Sequence, residues 1–188
     1  MKLIKSTLTI VILLQFYYCN KDNTIQKRDP NISYSNEVLL YREKPFTGRL
    51  VSFYEDGKLY DEINYKNGLK HGIYKEYYHD GKLSVLRNFN KGKREGIHKG
   101  WHSKGQIRFF SNYKNDKFTG ENFSWYGNRQ VDTYFVIEKG ELKGFKQWRS
   151  GKKIFMNYVL KDNERIGLYG GRLCRTVKSD KNGKTVSF

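Results

Sequence analysis

The side chains able to do chemistry are few and scattered. There are four histidines: His71, His79, His98 and His102. His98 and His102 sit four apart, a spacing that on a helix would present both to one metal ion. On a strand rising about 3.3 Å per residue they stand about 13 Å apart along one face, too far to share an ion, and both are expected on a solvated surface. Glu55-Asp56 falls at a turn, and the carboxylates of Asp61-Glu62 alternate across a strand, so neither pair has the convergent geometry of general acid–base catalysis. The two cysteines, Cys19 and Cys174, exclude a disulfide-stapled miniprotein and a four-thiolate zinc site. The sequence carries no P-loop, nucleophile elbow or zinc-ligand spacing, and Gly170-Gly171 alone is no phosphate cradle. Asn31-Ile32-Ser33 and Asn122-Phe123-Ser124 fit the glycosylation pattern, a triplet too short to carry weight. No enzyme, metal or cofactor is expected.

The elements that hold these residues follow from composition and spacing. A length of 188 residues suits about one domain. Aromatics at 16% exclude wholesale disorder, and with only two prolines and many short Gly-punctuated segments they favour β structure. Lys and Arg number 36 against 19 acidic residues, a net charge of +17. Lys91, Lys93, Arg94 and Lys99 form one basic group, and Lys143, Lys146, Arg149, Lys152 and Lys153 another. Lysines on strands protect open sheet edges, and the same charge attracts anionic lipid or acidic partners. Nucleic acid is not expected, because the N-terminus reads as an export signal.

That signal is Lys2 and Lys5, an apolar run from Leu8 to Leu14, then Gln15 to Cys19 and a polar exit at Asn20-Lys21-Asp22-Asn23. The apolar run is shorter than the ~20 residues of a membrane-spanning helix. Cys19 at its end resembles the lipidated first residue of a bacterial lipoprotein, with bulky Tyr18 a departure from the small residue usual before that Cys. Lipidation at Cys19 and an uncleaved N-terminal anchor both place the protein at a membrane of the cell envelope. With Cys19 as the first residue, Cys174 is a lone thiol, expected as a small buried hydrophobe.

Gly48, Gly72, Gly96, Gly120 and Gly144 recur every 24 residues, and Gly167 follows at 23. Phe53, Tyr77, Trp101 and Trp125 stand five after these glycines, with Trp148 one short. Gly57, Gly81 and Gly105 stand nine after, in turns such as Asp56-Gly57 and Asp80-Gly81. Tyr65, Phe89 and Tyr113 stand seventeen after. Each unit therefore reads as a β-hairpin, and Lys66-Asn67-Gly68, Asn90-Lys91-Gly92 and Glu138-Lys139-Gly140 connect one hairpin to the next. Alternation divides each first strand. Odd offsets, with Val51, Phe53, Ile73, Tyr77, Ile97, Trp101, Phe123 and Trp125, are expected as the continuous apolar ladder. Even offsets, with Leu50, Tyr74, His98 and Asn122, are expected as the half-wet face.

Gly-x-Tyr-Lys-x-Tyr-Tyr-x-x-Gly-Lys-Leu at Gly72–Leu83, followed by Phe-x-x-Gly at Phe89–Gly92, resembles the bacterial MORN-repeat variant. The resemblance covers about residues 41 to 171, six units with the last incomplete. It departs at Gly127, two residues early for a turn glycine, at Asp116, where a loop glycine is usual, and in the compressed fifth unit with Gly151. The resemblance implies an elongated antiparallel β-meander, a single twisted sheet. It also implies a non-enzymatic interaction role: a protein-binding or scaffold module, an antitoxin that neutralises a toxin by direct binding, or a membrane-docked repeat protein.

The expected layout is an export or lipoprotein signal at 1–19, a polar tether at 20–36, a repeat domain at 37–176 and a basic tail at 177–188. An unidentified protein partner is expected on a surface of Tyr74, Tyr77, Trp101, Trp125 and Trp148 with the basic rim of Lys146 and Arg149.

Overall fold

The structure, a computed structural model, describes residues 23–162, 164–169, 178–179 and 185–186. The export signal with Cys19, residues 20–22 of the expected tether, and Cys174 lie outside the described residues. The described part is all-β.

The segment expected as a tether is not one from Asn23 onward. Strand β1 (Thr24–Gln26) pairs in parallel with β5 (Gly48–Phe53), setting Ile25 beside Leu50. Strands β2 (Ile32–Ser35), β3 (Val38–Tyr41) and β4 (Lys44–Pro45) then form a small antiparallel sheet. Leu39 and Phe46 from this small sheet join Ile25, Leu50, Ile63 and Tyr65 in one buried cluster. The apolar residues Ile25, Ile32 and Leu39 are what a terminal unit of a repeat array needs, since among the described residues no repeat hairpin precedes the first to cover it.

The repeats follow as consecutive hairpins: β5 with β6 (Leu59–Lys66), β7 (Leu69–Tyr77) with β8 (Leu83–Asn90), then, past the two-residue β9 (Lys93–Arg94), β10 (Gly96–Trp101) with β11 (Ile107–Lys114). Next come β12 (Lys117–Trp125) with β13 (Val131–Glu138), β14 (Glu141–Trp148) with β15 (Ile154–Lys161), and the half-unit β16 (Glu164–Tyr169). They make one 13-stranded open sheet whose order, after β1, follows the chain. Residues 178–179 and 185–186 of the expected tail pair with each other as β17 and β18.

Two turn chemistries alternate. Connections between hairpins are two-residue turns with both φ positive, as at Asn67-Gly68 (51° and 76°) and Lys91-Gly92 (49° and 84°), the form whose twist matches the flanking strands. At the hairpin tips the Tyr54 N–H donates to the Lys58 carbonyl and the Gly57 N–H to the Tyr54 carbonyl, with Gly57 at φ 84°. The same pair of bonds recurs at the other four tips. Gly81 and Gly105 fill the left-handed position in the second and third, and Arg129 (φ 68°) and Lys152 (φ 63°) in the last two. Gly127 is thus not the turn residue of the fourth hairpin, which keeps its step with an arginine where a glycine is usual.

The register decides the repeat glycines. Gly48, Gly72, Gly96 and Gly120 pair with Tyr65, Phe89, Tyr113 and Ile137. Gly144 pairs instead with Val136 and Val159 and is absent from the positive-φ positions, so the fifth unit has slipped by one residue and Gly144 does not take the structural role of the other four. Gly72, Gly96 and Gly120, at φ 75°, 70° and 57°, sit in a backbone region that costs any residue with a Cβ.

The faces are largely the reverse of the expectation, although Val51 on the odd side is buried as expected at 7% exposed. Residues directly opposite in an antiparallel pair share a face, and the even-offset column carries the burial: Leu50 is 4% exposed, His98 2% and Asn122 0%. On the odd-offset side Phe53 is 39% exposed, Ile73 48% and Ile97 49%. The small sheet β2–β4 covers the even face of the first unit. Further along, the rings of Phe89, His98, Tyr113, Phe118, Phe135, Phe145 and Tyr158 follow one another at centroid distances between 4.5 and 6.5 Å.

Candidate functional site

Successive hairpins are locked at their tips by a bond that repeats with the sequence. The Tyr54 hydroxyl donates to the Tyr77 carbonyl at 2.7 Å, Tyr78 to Trp101 at 2.6 Å and Tyr126 to Trp148 at 2.9 Å; His102 Nε2 meets the Trp125 carbonyl at 3.0 Å. The expected surface residues Tyr77, Trp101, Trp125 and Trp148 are therefore backbone acceptors as well as side chains, and each locking group comes from the hairpin before. The 24-residue spacing of Tyr54, Tyr78, His102 and Tyr126 was visible in the sequence; their role was not.

On the odd face Glu62 is the electrostatic node. Its carboxylate accepts from Tyr77 at 2.8 Å and pairs with Lys75 at 3.1 Å and Arg49 at 3.3 Å, with its side chain 15% exposed. Burial works to raise the Glu62 pKa, but the bonds from Tyr77 and Lys75 and the charges of Lys75 and Arg49 outweigh it and hold the carboxyl below its ordinary value. The Tyr77 hydroxyl is pushed up, by burial and then by Glu62. Further along the same face Trp125 lies parallel to Phe123 at 5.5 Å, Phe123 packs on Tyr134 at 4.7 Å, and the Lys146 ammonium sits over Trp148 at 5.3 Å. Arg149, exposed at the fifth tip, stacks on Phe155 at 4.6 Å.

Tyr74 does not join them. It lies on the even face opposite Ile63 and Arg87, donates to Glu76 at 3.0 Å, and has the Arg87 guanidinium over its ring at 5.6 Å. Burial, followed by the Glu76 charge, pushes its hydroxyl far above the ordinary tyrosine value. The expected contact surface therefore divides between two faces: Tyr77, Trp101, Trp125, Trp148 and Lys146 on one, Tyr74 on the other.

His98 is not solvated either. Its Nε2 meets the Asn88 carbonyl at 2.9 Å and its ring packs on Tyr113 at 4.6 Å. Burial lowers its pKa against the bond to Asn88, and Arg87 and Arg94 lower it further. A neutral imidazole donating from Nε2 satisfies that carbonyl. Asp116, the departure from a loop glycine, accepts from the Arg94 N–H at 2.9 Å and from Arg94 Nε at 3.1 Å; these bonds hold its carboxyl low and fasten one connection to the previous one. No group of three or more His, Cys, Asp or Glu able to hold a metal occurs among the described residues.

Residues 46–67 and 70–91 match the MORN repeat variant. The matched residues are the first two hairpins, where the tip glycines and the Asp-Gly turns are intact, and the family they match is a non-catalytic repeat module. Comparison with curated proteins gave no match. Among solved structures, the crystal structure of the GtfA/B complex bound to UDP and GlcNAc aligns over 68% of this chain and 23% of that one, with 11% identity and a TM-score of 0.24.

Proposed function

We propose that this chain is a non-enzymatic repeat protein that displays its odd face to a protein partner while an N-terminal lipid at Cys19 holds it to a bacterial cell envelope. The observation that supports the partner is the set of exposed apolar residues on the odd face: Ile73 and Ile97, on either side of Asn88, and Phe53, at the tip end in line with half-buried Tyr77 and Trp101. Phe53, Ile73 and Ile97 are each more than a third exposed. Exposed apolar side chains interspersed with charge, here Lys75 and Lys99 between the two sets, suit a protein-docking patch. The export signal and the Cys at its end support the envelope anchor.

Two experiments test the reading. Intact-mass measurement of the membrane-extracted protein is expected to show a diacyl or triacyl mass beginning at Cys19, lost in Cys19→Ala; a full-length mass beginning at Met1 overturns the lipid anchor. In-cell crosslinking is expected to capture one partner with the wild type and lose it with Ile73→Glu/Ile97→Glu, a variant that changes only exposed positions. Unchanged capture by the folded variant removes the odd face from the partner contact.

A further inference from the structure

We infer that the tip edge of the third to fifth hairpins is a docking surface for a linear acidic polysaccharide, one that carries a carboxylate on each disaccharide. This surface meets the odd-face residues proposed for a protein partner only at Trp101.

The five tips share one backbone form but not one charge. In the first two, the acids are matched locally: Lys58 pairs with Asp56 at 2.9 Å, His79 with the same carboxylate at 3.1 Å, and Lys82 with Asp80 at 2.6 Å. The next three tips contain no acid at all. They read His102-Ser-Lys-Gly-Gln106, Tyr126-Gly-Asn-Arg-Gln130 and Arg149-Ser-Gly-Lys-Lys153. Lys104, Arg129, Arg149, Lys152 and Lys153 all project there, and among the described residues none of them pairs with a carboxylate. All five are exposed. The opposite edge of the same units is mixed, with Glu138, Lys139, Glu141, Lys143, Lys161, Asp162 and Glu164, and Lys143 there does pair, with Glu141 at 2.6 Å. Repulsion is thus concentrated along one edge, where an added anion relieves it.

The geometry selects the kind of anion. Successive tips are two strands apart, about 10 Å at a strand spacing of about 4.8 Å. Two linked pyranoses span a similar length, so a uronate on every second sugar meets one basic tip after another. Trp101, Trp125 and Trp148 line the base of these tips on the odd face, one per hairpin, and give the sugar rings an apolar edge to lie against. A single nucleic-acid strand instead presents a phosphate at every nucleotide and needs open aromatic faces for its bases. Here Phe123 lies against Trp125 and Lys146 covers Trp148.

The test is titration of the full chain with a hyaluronan decasaccharide, beside a neutral chitin oligomer, an oligothymidylate and phosphatidylglycerol vesicles. The expected result is binding of hyaluronan that weakens with salt. Affinity should fall about tenfold or more in Arg129→Gln/Lys152→Gln/Lys153→Gln, a variant whose circular dichroism matches the wild type because only exposed side chains change. Ile73→Glu/Ile97→Glu is expected to bind hyaluronan as the wild type does, which separates this surface from the exposed protein-docking residues. No hyaluronan binding, equal binding by the triple variant, or tighter binding of oligothymidylate or vesicles than of hyaluronan overturns the inference.

Discussion

The Tyr78 hydroxyl reaches across a hairpin boundary to the Trp101 carbonyl, 2.6 Å away and 23 residues further along the chain. A repeat array is stable only through such neighbour contacts, because each hairpin alone is too small to bury a core. Tyr78→Phe keeps the ring and deletes only this bond. It is expected to destabilise the array by about 1 kcal/mol in urea unfolding. A change below the precision of the measurement would show that the tip bond follows from the packing and does not support it.

Arg129 occupies a left-handed turn position, φ 68°, where Gly57, Gly81 and Gly105 stand in the first three tips. A residue with a Cβ is disfavoured there by about 1 kcal/mol, and glycine removes the strain. Arg129→Gly is therefore expected to raise the urea midpoint of the array at low ionic strength and at high. A rise confined to low ionic strength would mean that the gain comes from removing charge.

His98 is neutral and buried, with its pKa lowered, so the unfolded chain binds its proton more readily than the folded one. Its contribution is full above the unfolded value of about 6.5 and is lost as pH falls through that value towards the lower folded one. Urea unfolding is expected to show stability declining from about pH 6.5 downward. In His98→Leu this decline disappears, while at pH 8 the Asn88 carbonyl keeps the Glu95 N–H as a donor at 3.0 Å. An unchanged pH profile in the leucine variant would assign the decline to other groups.

Asn122 stands one repeat beyond His98 and is fully buried, yet leucine is expected to fail there. Its Oδ1 accepts the Asn112 N–H at 3.0 Å and its Nδ2 donates to the Thr119 and Gly120 carbonyls at 3.2 and 3.0 Å. These backbone groups lie where the pairing of β11 and β12 shifts register between Phe110 and Asn112, and the Asn122 amide bridges them across the shift. Asn122→Leu is expected to lose about 3 kcal/mol by urea unfolding, since buried unpaired polar groups cost about 1–3 kcal/mol each. A near-neutral leucine would mean that the register shift heals without the amide.

The contrast between His98 and Asn122 shows where sequence reading ended. Both occupy the even-offset column with Leu50 and Tyr74, and their spacing of 24 was plain. Their burial was not, because a polar residue on an alternating strand reads as solvated until its backbone partners are known. The same limit split the contact surface: Tyr74 is aromatic and lies in the same motif as Tyr77, but three residues along a strand put the two side chains on opposite faces.

Local chemistry determined the hairpins, the turn types at Asn67-Gly68 and Asp80-Gly81, and the 24-residue period, since each depends on a few neighbouring residues and on φ values that glycine and asparagine permit. The two sets of alternating side chains were also fixed by the sequence. Which set is covered was decided by tertiary structure alone. Both sets contain enough apolar residues to form a core, and the choice rests on where the β2–β4 sheet docks and on the aromatic rings that continue the even face beyond it. The one-residue slip of the fifth unit was already visible in Trp148, one short of its place; what the ladder alone decided is that Gly144 pairs with Val136 and Val159 and so leaves the position held by the other repeat glycines.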